Sequence, residues 1–150
     1  SACVSFELRF AQIRDLKKVL RAEAIVYGRL PLMITENCLV QNETGCRLDR
    51  QGPCVPEDGP CRCGQPNVLV DRTGAAFPLL PAYGHRTEIQ NSKPLYLADR
   101  PEHRRLGLAY ARLRFTTETA EECVSVVQNY LDAAPAAGDF TRGLYERGVE

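Results

Sequence analysis

The chain has almost no net charge to work with: nineteen Lys and Arg residues face nineteen Asp and Glu in 150 residues. Balanced charge casts no global field towards nucleic acid or an anionic membrane surface. No apolar run approaches the roughly 18 residues needed to span a bilayer, so no membrane partner is expected. The first residues lack the basic region and cleavage site of a signal peptide. Without an export signal, the expected compartment is the reducing cytoplasm, where clustered cysteines bind metal more often than they form disulfides. Lysine is scarce, with Lys17, Lys18 and Lys93 alone against sixteen arginines. Bidentate anion contacts could use such a bias, although genome composition is the simpler account. Catalytic signatures are missing as well: the chain has no G-x-S-x-G, no H-E-x-x-H and no phosphate-binding glycine loop.

Cysteine, by contrast, is plentiful. Five of the seven cysteines (Cys38, Cys46, Cys54, Cys61 and Cys63) fall within 33–64, among Gly, Pro, Asp, Glu and Asn. A stretch this polar cannot bury enough surface to order itself. A metal, disulfides or scattered thiols are the alternatives, and an odd cysteine total spoils a pure disulfide framework. The spacing carries no paired C-x-x-C knuckles, so a common zinc ribbon is a poor match. Thiolates hold either zinc or an iron–sulfur cluster, and ligand softness alone does not separate the two. A structural metal could supply about 10–16 kcal/mol of folding free energy to such a loop. Cys61 and Cys63 are separated only by Arg62, too close for both to reach one ion with ease. Cys3 and Cys123 read as small core residues.

Only two histidines are present. His103, in PEHRR, reads as a solvated surface residue. His85 lies just beyond a hairpin and could return to the cysteine loop as a further ligand. Glu36, two residues before Cys38, is the carboxylate best situated for acid–base work, with a turn or hydrogen-bonding role as the plainer alternative.

The hydrophobic pattern organises the rest. Residues 3–8 alternate with Val4, Phe6 and Leu8 on one side, as a strand does. Over 10–20 the period becomes helical: Phe10, Ile13, Leu16, Val19 and Leu20 share a face opposite Arg14, Lys17 and Lys18. Residues 24–27 form a uniformly apolar run, expected of a strand buried on both faces. Strand, helix and strand make a βαβ unit with parallel strands. Residues 28–38 leave the second strand at its carboxyl end, where parallel α/β folds build their sites.

Residues 67–80 read as a hairpin turning at Asp71-Arg72-Thr73-Gly74, and 86–90 as a further short strand. A polar stretch with a short helix or turn follows Asn91. Residues 108–115 alternate again, and Thr119 with Glu122 forms a capping box. The helix that follows presents Cys123, Val126, Val127, Tyr130 and Leu131 at helical spacing. The tail after Gly138 is expected to lie extended on the surface. The expected fold class is α/β. It is a partial (β/α) barrel-like piece of roughly three βα units, since a complete barrel needs about 250 residues, with a Cys-rich loop and a β-hairpin inserted. The expected layout is one domain: βαβ over 1–37, a Cys-rich metal loop over 38–66, the hairpin region over 67–98, βα over 99–134 and a tail over 135–150.

The segments YGRLPLMITENC (27–38), LVDRTGAAFPLL (69–80), EIQNSKPLYLAD (88–99), LRFTTETAEEC (113–123) and FTRGLYERGV (140–149) together resemble the C-terminal part of the collagenase-like peptidases, family thirty-two of the peptidases of unknown catalytic type. The resemblance covers nearly the whole chain and is specific as a combination. It implies a (β/α)₈-type catalytic domain, of which this chain would be the last units, in a bacterial cytoplasmic protein. Family members were named as peptidases. Others act in hydroxylating RNA bases or the ubiquinone ring and carry a four-iron–four-sulfur cluster on four cysteines. Relatives are similar at Cys38, Cys46, Cys61 and Cys63, and at a cysteine that is His85 here. The stretch with Cys54 reads as an insertion.

The metal ligands expected on this basis are Cys38, Cys46, Cys61 or Cys63, and His85, holding zinc or a four-iron–four-sulfur cluster. Glu36 is the catalytic candidate, and Arg72, Arg86 and Asn91 are the candidates for substrate contact. The implied partners are the remainder of the parent barrel and an RNA or peptide substrate, with self-association left open. A non-catalytic, zinc-stabilised interaction module is the alternative.

Overall fold

The computed structural model describes residues 1–44 and 62–147. In chain order its elements are β1 (Ala2–Cys3), α1 (Phe10–Leu16), β2 (Ala22–Gly28), β3 (Pro31–Thr35), α2 (Leu39–Thr44), a 3₁₀ turn (Arg62–Gly64), β4 (Asn67–Val70), β5 (Ala76–Ala82), β6 (Arg86–Gln90), β7 (Leu95–Tyr96), α3 (Pro101–Arg105), β8 (Tyr110–Leu113) and α4 (Ala120–Asp132). The class is mixed α/β, and the described strands form two open sheets with no closed barrel. Contacts divide the chain into two units. One comprises residues 1–30 with the chain from Lys93 onward, and the other comprises 31–92.

The first unit is built on β2. It pairs in parallel with β1 at Ala22 and Glu23, in parallel with β8 from Glu23 to Tyr27, and antiparallel with β7 at Tyr27 and Gly28. Glu23 and Tyr27 each have two partners, so β8 takes one edge of β2 while β1 and β7 share the other. Ala22, Ala24, Val26 and Tyr27 are all buried, which agrees with a strand covered on both faces. Gly28 closes the strand at φ +118°, and a Cβ there would lie 2.0 Å from the Arg114 carbonyl oxygen. Only glycine fits so close a backbone approach.

Helix α1 turns Ile13 fully inward, with Phe10 and Leu16 packed on the same cluster. It ends at Leu16, earlier than the apolar spacing predicts, and Val19 is left 83% exposed. The ladder of β1 is likewise short. Val4, Phe6 and Leu8 face the core as expected, but only Ala2 and Cys3 pair with β2.

Cys3 is exposed rather than a core residue, because the inward positions of this segment belong to Val4, Phe6 and Leu8. The tail corrects a second expectation. Tyr145 is 1% exposed, stacks on Phe10 with ring centroids 5.2 Å apart and donates to the Ile25 carbonyl at 2.5 Å. Its carbonyl accepts from Phe10 N at 2.9 Å. Burying an aromatic ring with its hydroxyl satisfied makes Tyr145 part of the core, while the residues on either side of it stay part-exposed or exposed.

Helix α4 begins as its capping box requires: Glu122 N donates to the Thr119 hydroxyl, and Thr119 N to the Glu122 carboxylate. Its apolar stripe is only half used. Cys123, Val126 and Tyr130 are part-buried, whereas Val127 is 42% and Leu131 70% exposed, since no described element covers that side. His103, expected at the surface, is 5% exposed, with its ring against Tyr130.

The second unit is an antiparallel sheet ordered β3-β6-β5-β4. The predicted hairpin forms over Asn67–Val70 and Ala76–Ala82. In its turn the Asp71 carboxylate accepts from Thr73 N, the Thr73 hydroxyl and Ala75 N at 2.7, 2.7 and 3.0 Å. These bonds, the Thr73 hydroxyl's foremost, hold the carboxyl below its usual range. Residues 28–38, which leave β2 at its carboxyl end, contain a further strand, β3, that the sequence pattern did not single out. It pairs with β6 from Pro31–Gln90 to Thr35–Thr87, because LMI finds a partner strand that lies far along the sequence.

Candidate functional site

At one end of the second sheet β3 finishes, the β5–β6 turn folds over and the chain enters α2. Thr35 donates to the Asn37 carbonyl at 2.6 Å, and Thr87, 2% exposed, accepts from Leu39 N at 3.0 Å. Thr87 thereby satisfies one of the orphan amides that every helix start leaves, though it lies on another strand. These bonds swing Cys38 inward to 7% exposure, in one apolar cluster with Val40, Leu79 and Ile89. Cys63, in the 3₁₀ turn, packs against that same cluster. Two thiols far apart in sequence thus share one apolar wall.

His85 occupies the turn between β5 and β6 at φ +59°, the left-handed region that histidine enters more readily than most side chains. Such a conformation is held only where its surroundings demand it. Beside it, Arg86 donates to the Glu36 carboxylate at 2.9 Å, with both side chains well exposed. Cys38, Cys63, His85, Glu36 and Arg86 therefore belong to one half of the sheet. Arg72 and Asn91 do not: Arg72 lies in the turn between β4 and β5 and Asn91 follows the last residue of β6, both at the opposite end. Cys46, Cys54 and Cys61 lie outside the described residues. Among the described residues no group of three His, Cys, Asp or Glu side chains converges as a metal site.

The first unit carries a second site, which sequence reasoning missed. At the carboxyl ends of β2 and β8 lies a cavity of about 790 Å³, lined by Tyr27, Arg29, Glu118, Glu121, Glu122 and Asp139 among others. Glu118 accepts from Thr116 N and Thr117 N at 2.7 and 3.0 Å and from the Tyr27 hydroxyl at 3.2 Å. Burial, reinforced by that carboxylate, raises the Tyr27 phenol well above its usual range, so it stays a neutral donor. The available signal was position, since the loop between β8 and α4 sits where α/β folds bind ligands. Glu122 is already engaged in the capping box, and Asp139 pairs with Lys93 at 3.5 Å.

None of the described helices is long and apolar enough to cross a membrane. No protein-family model, no curated protein and no solved structure matches the chain.

Proposed function

We propose that residues 31–92 form a metal-bearing subdomain of a protein related to the collagenase-like peptidases. The observation that carries this reading is the burial of Cys38 in the cluster against which Cys63 packs. Cysteines brought together from two segments, with His85 held in a left-handed turn at the same end of the sheet, suit the donor chemistry of zinc or an iron–sulfur cluster. The ligand set would be Cys38, Cys46, Cys61 or Cys63, and His85. Among the described residues Cys38, Cys63 and His85 do not converge on one point by themselves, so a bound metal would have to draw them together. The bound group would tie the cysteine-rich stretch to the sheet. The salt-bridged pair Glu36 and Arg86 flanks it and is the first place to seek substrate contact. Within the whole protein the activity would be cluster-dependent modification of RNA or of a small aromatic, or else peptide hydrolysis. The parallel order β1-β2-β8, with helices between and after the strands, supports reading the first unit as part of a (β/α) barrel.

Anaerobic purification of the chain, followed by iron, sulfide and zinc analysis and a visible spectrum, tests this reading. Iron with sulfide and a broad visible absorption are expected, and Cys38→Ala or Cys63→Ala should lose both. A preparation that binds neither iron nor zinc, with Cys38→Ala as stable as the parent, would overturn it.

A second reading is a zinc-stabilised interaction module with no chemistry of its own. It is favoured by β3, an edge strand whose consecutive Leu32, Met33 and Ile34 are 54%, 56% and 56% exposed, since apolar edges of this kind invite partner strands. One colourless zinc per chain would select it.

A further inference from the structure

Helix α3 is five residues long, with Pro101 as its first residue and Gly107 at φ +66° just beyond its end. So short a helix has little stability of its own, and side-chain contacts must hold it. Two of them reach α4. Arg104 donates to the Tyr130 carbonyl. The buried His103 ring donates to the Arg100 carbonyl at the helix N-cap and meets the Tyr130 ring edge-on, with centroids 6.2 Å apart. The Tyr130 hydroxyl in turn donates to the Val26 carbonyl and accepts from Leu97 N. The contact thus runs from α3 through Tyr130 to the central strand β2. Beside the ring lies a groove of about 450 Å³ between α3, β8 and α4, with the exposed Val127 and Leu131 on its outer wall.

We propose that His103 is an acid-released latch: the neutral ring holds α3 against Tyr130, and in mild acid the protonated ring turns out into the adjoining groove and frees α3. The buried position suits only the neutral ring. A protonated imidazole donates from both nitrogens, and Nδ1 has no partner among the described residues. The charged groups nearby compensate poorly. Arg104 repels a further positive charge; Glu102 and Asp99 attract one, but Glu102 is exposed and Asp99 is already held by Arg142. Tyr130, which faces the ring from α4, is a neutral phenol, because burial pushes its pKa far up. Burial is also the largest influence on His103 and lowers its pKa, only partly opposed by the Arg100 carbonyl. An imidazole with a depressed folded pKa stabilises the closed contact at neutral pH. That contribution is lost as pH falls below the ordinary value of about 6.5, within the range where histidine serves as a switch. The groove gives the charged ring access to water, and the left-handed Gly107 is a natural hinge for the helix.

The test compares amide-exchange protection factors of the whole chain at about pH 7.5 and about pH 5.5. Protection at Leu97, at Leu106 and across residues 127–132 should fall by about fivefold to tenfold, the most that uptake of one proton by the open form can cause over this range. The β2–β8 ladder should keep its protection. His103→Gln, which retains a donor for the Arg100 carbonyl but takes up no proton, should be equally protected at both pH values. Imidazole NMR on the parent should place the His103 midpoint below about 6.5, a readout that stands even if the variant fails to fold. The proposal is overturned if the parent's protection does not change with pH, if His103→Gln loses as much as the parent, or if His103 titrates at or above the ordinary value.

Discussion

Single side chains decide how the first unit is closed. Arg142 donates to both Asp99 oxygens, at 2.5 and 2.8 Å, and to the Tyr96 carbonyl at 2.8 Å. Its guanidinium also lies 4.4 Å from the Phe140 ring centroid. This one residue fastens the tail to β7 and to the loop behind it. The guanidinium holds the Asp99 carboxyl below its usual range, outweighing the cost of burial. A carboxylate whose folded pKa is depressed stabilises the protein above its unfolded value of about 3.9. That contribution fades as pH falls through the lower folded value. Asp99→Asn should therefore cost about 1 kcal/mol at neutral pH, since both partners keep about a quarter of their surface in water. Urea unfolding across the acid range should show parent and variant converging as Asp99 protonates. An undiminished gap at the acid end would mean the lost term is packing rather than the ion pair.

At the scale of elements, α4 is the clearest case of local instruction. Thr119 and Glu122 satisfy each other's backbone amides, and the helix ends at Ala133 in the left-handed region. No residue of α4 is buried, so tertiary packing contributes less to this helix than to most, and its cap matters more. Thr119→Ala should destabilise it by about 1 kcal/mol. Amide exchange would register this first in residues 120–124, ahead of any change in β2. Uniformly unchanged protection along α4 would show that Tyr130 alone holds the helix, through its hydroxyl bonds to the Val26 carbonyl and Leu97 N. Helix α2 offers the contrast. Its first amide is capped by Thr87 from a strand 48 positions away, so nothing near Leu39 in sequence announces where it starts.

At the scale of the whole molecule, two units are assembled from one chain, the second entering after Leu30 and leaving before Lys93. Their cores differ in kind. The first gathers Ile13, Val26, Leu95, Leu97 and Tyr145 into a continuous apolar cluster. Among its described residues the second has a small cluster around Cys38, Val40, Leu79 and Ile89, and its strands β3 and β4 expose apolar side chains. A core so small leans on cross-linking, and a structural metal is the cross-link proposed above. Stripping metal with a chelator should accordingly raise hydrogen exchange across β5 and β6. The β2–β8 ladder should keep its protection. Equal loss in both units would mean they unfold as one body, and no change in either would argue against a metal in the second.

Much of this architecture was legible from the residues. The turn at Asp71, the capping box at Thr119 and the apolar strand before Gly28 each depend on bonds or patterns completed within a few positions. Those features are written locally, and the sequence by itself determined them, including the α/β class. What only the tertiary structure decided is which face of each element is covered. It put Cys3 outside and Tyr145 inside, buried His103, left Val127 and Leu131 in the open, turned 31–35 into an edge strand, and sent Arg72 and Asn91 to the far end of the sheet from Glu36 and Arg86. Burial is a property of the neighbour that arrives, not of the residue that waits for it, and those neighbours come from dozens of positions away.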